Sequence, residues 1–439
     1  MQIENILQRC MTAGADMADV FITTQKTLSL SIRNGELESI TRAAPGGIAI
    51  RFFKNGKMAF AHFSNINEEI LNASIPKFAA LAQKMETEEF ADLARMQQYP
   101  TYLDIYNDVW IKKSVEDKID YLKTLEKLAL RHDPIIKKSN GVSYEETSTT
   151  LMLANSHGVN TSYNSTRYKI GVSIVAEKNG EMYPGEGALF STDFSTFPEP
   201  KGIAGIFASR AVRLIGGSPV DGGDYEIIFR PRGVISILWG LVHALNGEDA
   251  FKGSSFLAGM LGQKIAIDGL TVIDDATMPK GLVSRPVDDE GSASMNSTLI
   301  ENGVLSGFLY DIKTASKANA KSTASSIRED YSSYPGIGTS NFYISPGKDK
   351  LDDVIASCQK GIIVEETAGW GLHGVTGQYS AGINGILVEN GKKIRPVAGV
   401  TIAAGSGELL NGIGAICDDI SFYDNIASPS IMVKRMTVG

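Results

Sequence analysis

Cysteine is scarce in this chain: 439 residues carry three, Cys10, Cys358 and Cys417, an odd number set far apart. A disulfide framework is therefore not expected, and a reducing, cytoplasmic setting is. No apolar run approaches the ~20 residues that a membrane-spanning helix needs. The opening MQIENILQRC has no basic segment followed by an apolar one, so no secretory leader is expected either. Basic clusters are missing as well. The 42 Lys and Arg face 50 Asp and Glu, a formal charge of −8, and no basic run interleaves with aromatics. A nucleic-acid partner would need a clustered basic face, and the mild acidity argues against that class. There is no G-x-S-x-G elbow, which removes the usual support for Ser-His-Asp catalysis. Histidines number only five, so any metal or acid–base site has few candidates.

What is present describes a water-soluble, folded chain: 43% hydrophobic and 21% charged residues, with 45 Gly and 15 Pro. The length calls for two or three domains. Ile3, Ile6, Leu7 and Cys10 share one face of a short first helix, which makes Cys10 a core residue. Strand-like segments then alternate with turn signals at Asn34-Gly35, Gly46-Gly47 and Asn55-Gly56, predicting an antiparallel meander. A helix starts near Asn67, and Pro76 kinks or splits it. Residues 86–112 lack a period and read as a linker. Ser114, with Asp117 three residues on, caps a helix whose buried stripe is Val115, Ile119, Leu122, Leu125 and Ala129. A second meander turns at His157-Gly158 and Asn179-Gly180, and in it Tyr168, Ile170, Val172, Ile174 and Ala176 alternate strictly. A helix over 202–214 follows. Helix, meander, helix thus occurs twice, an order resembling an internal duplication. From Tyr225 onward turns recur at Asp268-Gly269, Asn302-Gly303, Asn384-Gly385, Asn390-Gly391 and Asn411-Gly412, predicting a β-rich region. The expected fold is α+β, with units at 1–112, 113–222 and 223–439.

The stretch Ser236–Phe256 is the most apolar helix candidate. Over 232–245 hydrophobic residues fall on nearly every face, so this helix is expected to be buried. Its exceptions, Ser236, Gly240, His243 and Gly247, lie on one narrow stripe that lets another segment approach or lines a cleft. Asn246-Gly247 is a natural helix end. The plain reading of His243 is a hydrogen-bonded core residue. A metal site would need partners. Zincin chemistry asks for two histidines on one helix, a third ligand, and a glutamate directly after the first histidine. Ala244 holds that last position.

This helix, Val287-Asp288-Asp289-Glu290-Gly291, Asn302-Gly303-Val304-Leu305, Gly307-Phe308-Leu309, Thr376-Gly377-Gln378-Tyr379-Ser380 and Ser428-Pro429-Ser430-Ile431 together resemble the TldD/TldE (PmbA) family, once described as modulators of DNA gyrase. The resemblance spans essentially the whole chain and is weaker toward its start. In that family TldD carries an HExxxH zinc motif and a ligand cysteine near the C-terminus, and TldE/PmbA lacks the motif. Here His243 to Glu248 read H-A-L-N-G-E. The base position is Ala244, the second histidine position is Glu248, and Cys417 falls roughly where the ligand cysteine lies. The match is to the TldE/PmbA side. It implies a non-metal subunit that pairs with a TldD-like zinc metallopeptidase and helps degrade or mature unfolded peptides. No cofactor is expected in this chain, zinc belongs to the partner, and the isolated chain should form a homodimer. Two rivals stay open: an independent metallopeptidase using His243, Glu248 and Cys417, and a regulatory binder of DNA gyrase. His, carboxylate and thiolate could hold zinc, yet losing a general base typically costs ~10²–10⁴ in rate.

Three further segments stand out. Gly369, Trp370, His373, Thr376 and Gly377 form a glycine-rich stretch that is no phosphate loop. It offers backbone to an extended peptide, with Trp370 and His373 as contacts, or is an ordinary turn. Asp288-Asp289-Glu290 reads as a solvated acidic turn capping nearby amides, with a hard-cation site as the alternative. The serine-rich 316–336 reads as a mobile surface loop, with a lid as the functional alternative.

Overall fold

The computed structural model describes residues 2–64 and 67–439. Helix α1 (Ile3–Thr12) precedes a meander of strands β1 (Met17–Arg33), β2 (Glu36–Ala43), β3 (Gly46–Lys54) and β4 (Lys57–Phe63). Asn34, Gly35, Asn55 and Gly56 all take positive φ, as two tight hairpins require. Asn67 caps α2 (Glu68–Ser74) by accepting from the amides of Glu69 and Ile70. Pro76 then splits this helix from α3 (Phe78–Gln83) through a single 3-10 turn. Ser114 and Asp117 form the expected reciprocal cap on α4 (Val115–Leu130). The second meander, β5 (Ile136–Asn155), β6 (Asn160–Lys178) and β7 (Glu181–Ser191), ends at α5 (Pro200–Arg213).

The two meanders are one sheet. β1 takes β3 on its first half and β2 on its second, and along its other edge it pairs with β5 from Asp19↔Asn155 to Ile32↔Val142. The order is β4-β3-β1-β5-β6-β7. Even-numbered residues of β1 enter the cores beneath the helices: Val20 and Ile22 under α1–α3, and Leu28, Leu30 and Ile32 under α4 and α5. Odd-numbered Phe21 points the other way, into a cluster with Ile312 and Tyr331 of the C-terminal half. Residues 86–112 are not a free linker. They strap across the sheet, burying Leu93, Ala94, Leu103 and Ile105, and the Ile105 carbonyl accepts from the Thr166 amide at 2.9 Å.

The C-terminal half begins with β8 (Gly223–Phe229), α6 (Pro231–Ala244) and the short α7 (Gly247–Phe251). It continues with β9 (Val272–Asp275), β10 (Asn296–Glu301), β11 (Val304–Leu305), β12 (Ser326–Ile327), β13 (Gly336–Ile337) and β14 (Asn341–Ile344). Then come β15 (Lys360–Leu372), β16 (Tyr379–Glu389), β17 (Lys392–Ala404), β18 (Ile413–Ile416), β19 (Ser421–Tyr423), β20 (Ile426–Ser428) and β21 (Ile431–Val438). One sheet runs β11-β10-β9-β14-β20-β19. The other runs β17-β16-β15-β8-β21-β18 and closes on itself through β17 and β21. Helix α6 lies between them, sharing a single core with Ile227, Phe229, Ile362 and Val364 of one sheet and Val272, Phe342 and Ile426 of the other. Burial between two sheets explains why α6 is apolar on nearly every face. Among the described residues no helix is long and apolar enough to cross a membrane.

Three expectations need correction. Asn384-Gly385 is not a turn but lies within β16, opposite irregularities in β15 and β17, and a Cβ on Gly385 would lie 2.1 Å from the Ile363 carbonyl oxygen. The acidic turn is not solvated: Asp288, Asp289 and Glu290 are all buried. Its carboxylates do cap amides, as expected. Asp288 accepts from Glu290, Ser292 and Ser326, Asp289 from Arg328, and Glu290 from Ile312. Residues 316–336 are not a loose loop either. Ser325, Ser326 and Arg328 are buried against that same acidic turn, because its carboxylates need those amides once water is gone.

Candidate functional site

The stripe foreseen on α6 is where β15 comes against the helix. A Cβ on Gly240 would stand 2.2 Å from the Leu372 carbonyl oxygen, and one on Gly371 would stand 2.3 Å from that of Ser236. Both contacts are impossible for any larger residue, so backbone lies directly on backbone. The Ser236 hydroxyl bonds the Tyr379 hydroxyl at 2.9 Å and fixes the register. A Cβ on Gly374 would fall 2.7 Å from that of His243. The two segments singled out in the sequence are therefore one feature: the glycine-rich stretch lies along α6, and His243 adjoins its turn.

That turn is compact. The His373 amide donates to Gln378, the Gly377 amide donates to His373 at 2.7 Å, and Thr376 sits 3.3 Å from the His373 Nδ1 through both its amide and its hydroxyl. Gly369 and Gly371 take positive φ in a bulge opposite β16, and the bulge throws the Trp370 ring outward, 92% exposed. His373 and Thr376 are exposed, and so is Trp239, which stands four residues before His243 on α6. The result is an open ledge carrying two tryptophans, two histidines and a hydroxyl.

His243 is not the core residue expected. Its side chain is 53% exposed, 3.9 Å from Asp249. Ala244 turns instead into the core with Leu241 and Leu245, since successive helical residues are about 100° apart. Asn246 does not only end α6; its side chain caps α7 through the Glu248 and Asp249 amides. Glu248 faces solvent and pairs with Lys252 at 3.0 Å, a hydrogen bond that holds its pKa below the usual carboxylate value.

Cys417 lies elsewhere. It is fully buried with Ile228 and Ile363, on the face of the sheet opposite the α6 core. Its charged neighbours include Arg230, the residue before α6, with Asp349, Asp418 and Asp419. His243 is at the far end of that helix, a span of about 20 Å at 1.5 Å per residue. Burial, with those three aspartates, pushes the Cys417 thiol up to about 12, which disfavours the thiolate a metal would bind. Among the described residues no three His, Cys, Asp or Glu groups stand in a metal-holding arrangement. His243, Glu248 and Cys417 do not fit zinc: they do not converge, and position 244 faces packed side chains.

Two features were not foreseen. Arg51 on β3 is buried between Asp19 and Glu290, joining the N-terminal sheet to the C-terminal half. The signal was an arginine inside IAIRFF, a strand with seven consecutive buried residues. Lys118 is likewise buried, paired with Glu146 at 2.7 Å; it stands three residues after Val115 and four before Leu122, on the apolar side of α4.

Comparison with known proteins finds relatives over nearly the whole chain. Family models for the PmbA/TldA metallopeptidase domain 1, central domain and C-terminal domain match residues 18–85, 108–215 and 222–439. The chain is 26% identical over 432 residues to a metalloprotease PmbA homolog of Haemophilus influenzae, covering 97% of this chain and 92% of that one. It is 25% identical over 427 residues to metalloprotease PmbA of Escherichia coli, with the same coverage of each chain. Its fold matches the crystal structure of TldE from Thermococcus kodakarensis with a TM-score of 0.90, at 22% identity, over 100% of this chain and 99% of that one.

Proposed function

The chain belongs to the PmbA/TldD metallopeptidase family, and from that membership we propose that it is the non-metal, TldE/PmbA-type subunit of a heteromeric peptidase. It would bind unfolded peptide beside a TldD-like subunit that supplies zinc and the general base. The observation carrying this reading is the geometry around position 244. The residue after His243 sits in the core, and Cys417 lies by the opposite end of α6 from His243 and Glu248.

The ledge supplies the part left to this chain. Trp239 and Trp370 offer apolar contact area, and His373 and Thr376 offer hydrogen bonds of either sense. An extended peptide laid there would meet mostly backbone and glycine, which suits substrates of varied sequence. The reading includes a cytoplasmic location and a homodimer when no TldD-like chain is present.

Co-expression with a TldD-like chain, followed by co-purification and peptide hydrolysis, tests the proposal. The mixture should cleave an unfolded peptide and each step should be chelator-sensitive, with this chain alone inactive and free of stoichiometric zinc. Zinc at one per chain with cleavage by the isolated protein would overturn it. Trp370→Ala should raise KM of the mixture and leave zinc content unchanged.

A further inference from the structure

At the other end of α6, a cleft of about 520 Å³ opens between α5, the start of α6 and β15. We propose that this cleft binds the oxyanion group of a small ligand, a carboxylate or a phosphate, on Arg210 and Arg230.

Four arginines line it: Arg210 and Arg213, three apart on α5, and Arg230 and Arg232, on either side of Pro231 at the head of α6. Two have carboxylate partners. Arg213 pairs with Glu365 at 2.7 Å and Arg232 with Glu366 at 3.3 Å. Asp419 also lines the cleft, but both its oxygens are engaged by the amide and hydroxyl of Ser430 at 2.7 Å. The other two arginines lack a carboxylate. Arg210 donates only to the Glu186 carbonyl at 3.2 Å, and Arg232 donates to the same oxygen at 3.1 Å. Two cations thus crowd one neutral acceptor. Burial, followed by the nearby Arg232 charge, holds the Arg210 pKa below its ordinary value. Among the described residues the Arg230 side chain has no hydrogen bond or ion pair at all.

Guanidinium forks match the two oxygens of a carboxylate or phosphate and lose little on binding them. The 14-residue α6 adds the positive end of its dipole to the same wall. Glu365 and Glu366 set a limit on the ligand: they repel a second anionic group, so a polyanion such as nucleic acid is disfavoured. The volume falls in the range of small-ligand pockets. This site is a helix length from the His243 ledge and does not depend on the subunit reading.

The test is calorimetric titration of the full chain with inorganic phosphate, with an N-acetylated dialanine bearing a free carboxylate, and with its C-terminal amide. We expect saturable one-to-one binding of phosphate or of the free acid, and none of the amide. Binding of one but not the other names the oxyanion. Arg230→Gln should weaken binding by about tenfold or more, the loss of one charge-assisted contact. Arg210→Lys, which keeps the charge and loses the fork, should weaken it too. Arg435→Gln removes an equal charge at a side chain 77% exposed and should change nothing. No saturable binding of either probe, or equal losses in Arg230→Gln and Arg435→Gln, would overturn the proposal.

Discussion

Replacing Arg51 by Met should separate the two halves of the molecule energetically. The Arg51 Nε donates to Asp19 on β1 at 2.7 Å, and its Nη1 donates to Glu290 at 2.9 Å. The three side chains are 7%, 1% and 5% exposed. Burial pulls the Arg51 pKa down, but Asp19 and Glu290 more than reverse this and raise it. Met keeps the aliphatic stem and removes the charge, leaving two buried carboxylates without their cation. Breaking a buried pair in this way costs about 3–5 kcal/mol. Arg328, also buried and within reach of both carboxylates, offsets part of the loss, so the lower end of that range applies. Burial already raises the Glu290 pKa against the pull of Arg51, so losing that cation raises it further. Glu290 can then be neutralised by protonation, and the penalty should shrink as pH falls from 8 to 5. Urea unfolding followed by circular dichroism and tryptophan fluorescence measures this, read on the first transition because a chain of this size need not unfold in one step. Adding Asp19→Asn and Glu290→Gln to the variant should recover much of the loss. A penalty under about 1 kcal/mol at pH 8, or one that grows on acidification, would refute the reasoning.

Asp274 is buried, and burial pushes its pKa up to about 6 despite the Ser340 amide. A carboxyl raised in the folded state binds more protons there than when unfolded, so stability falls as pH rises from about 4 to about 6. Asp274→Asn should remove that slope and stabilise the protein at pH 7 by about 2–3 kcal/mol, read from urea midpoints at several pH values. Ala244→Glu would place a carboxylate among Leu241 and Leu245; we expect several kcal/mol of destabilisation and no gain of zinc-dependent cleavage, whereas a stable, zinc-loaded variant would contradict the packing described. Cys10, Cys358 and Cys417 are buried, and burial pushes each thiol up to about 12. A thiol reagent at pH 8 should label none of them in the native chain and all three in urea, and rapid native labelling of Cys417 would show that its surroundings open.

The sequence was most informative where a local rule has a local cause. Asn34-Gly35, Asn55-Gly56, Asn179-Gly180, Asn302-Gly303 and Asn390-Gly391 all take the positive φ pairs that their turns need. The Ser114 cap, the break at Pro76 and the buried alternation from Tyr168 to Ala176 follow the same logic, since neighbours in the chain decide them. Long-range partners left no such trace. Glu290 looked solvated because its counterion, Arg51, is 239 residues away. The strap at 86–112 has no period because it borrows its hydrogen bonds from a sheet already built. The four arginines of the cleft form two separate pairs in sequence, and only the packing of α5 beside the head of α6 unites them.

The all-round apolar character of α6 was legible, and it constrains what either end of the helix can do. Packed between two sheets, the helix cannot rotate without moving the Gly240–Leu372 and Ser236–Gly371 backbone contacts, where no side chain gives way. His243 is therefore held outward, and position 244 is held inward. A general base at 244 would need water beside it, and the space there is filled by Leu241 and Leu245. Under the function proposed above, restoring two letters of the motif would not by itself make a metal-dependent hydrolase of this chain. The β15 segment would have to shift along the helix before a carboxylate and a bound water could share that side of it. For the peptide site proposed above, the same rigidity would be an advantage, since a peptide laid along the ledge would meet groups whose positions the core already sets.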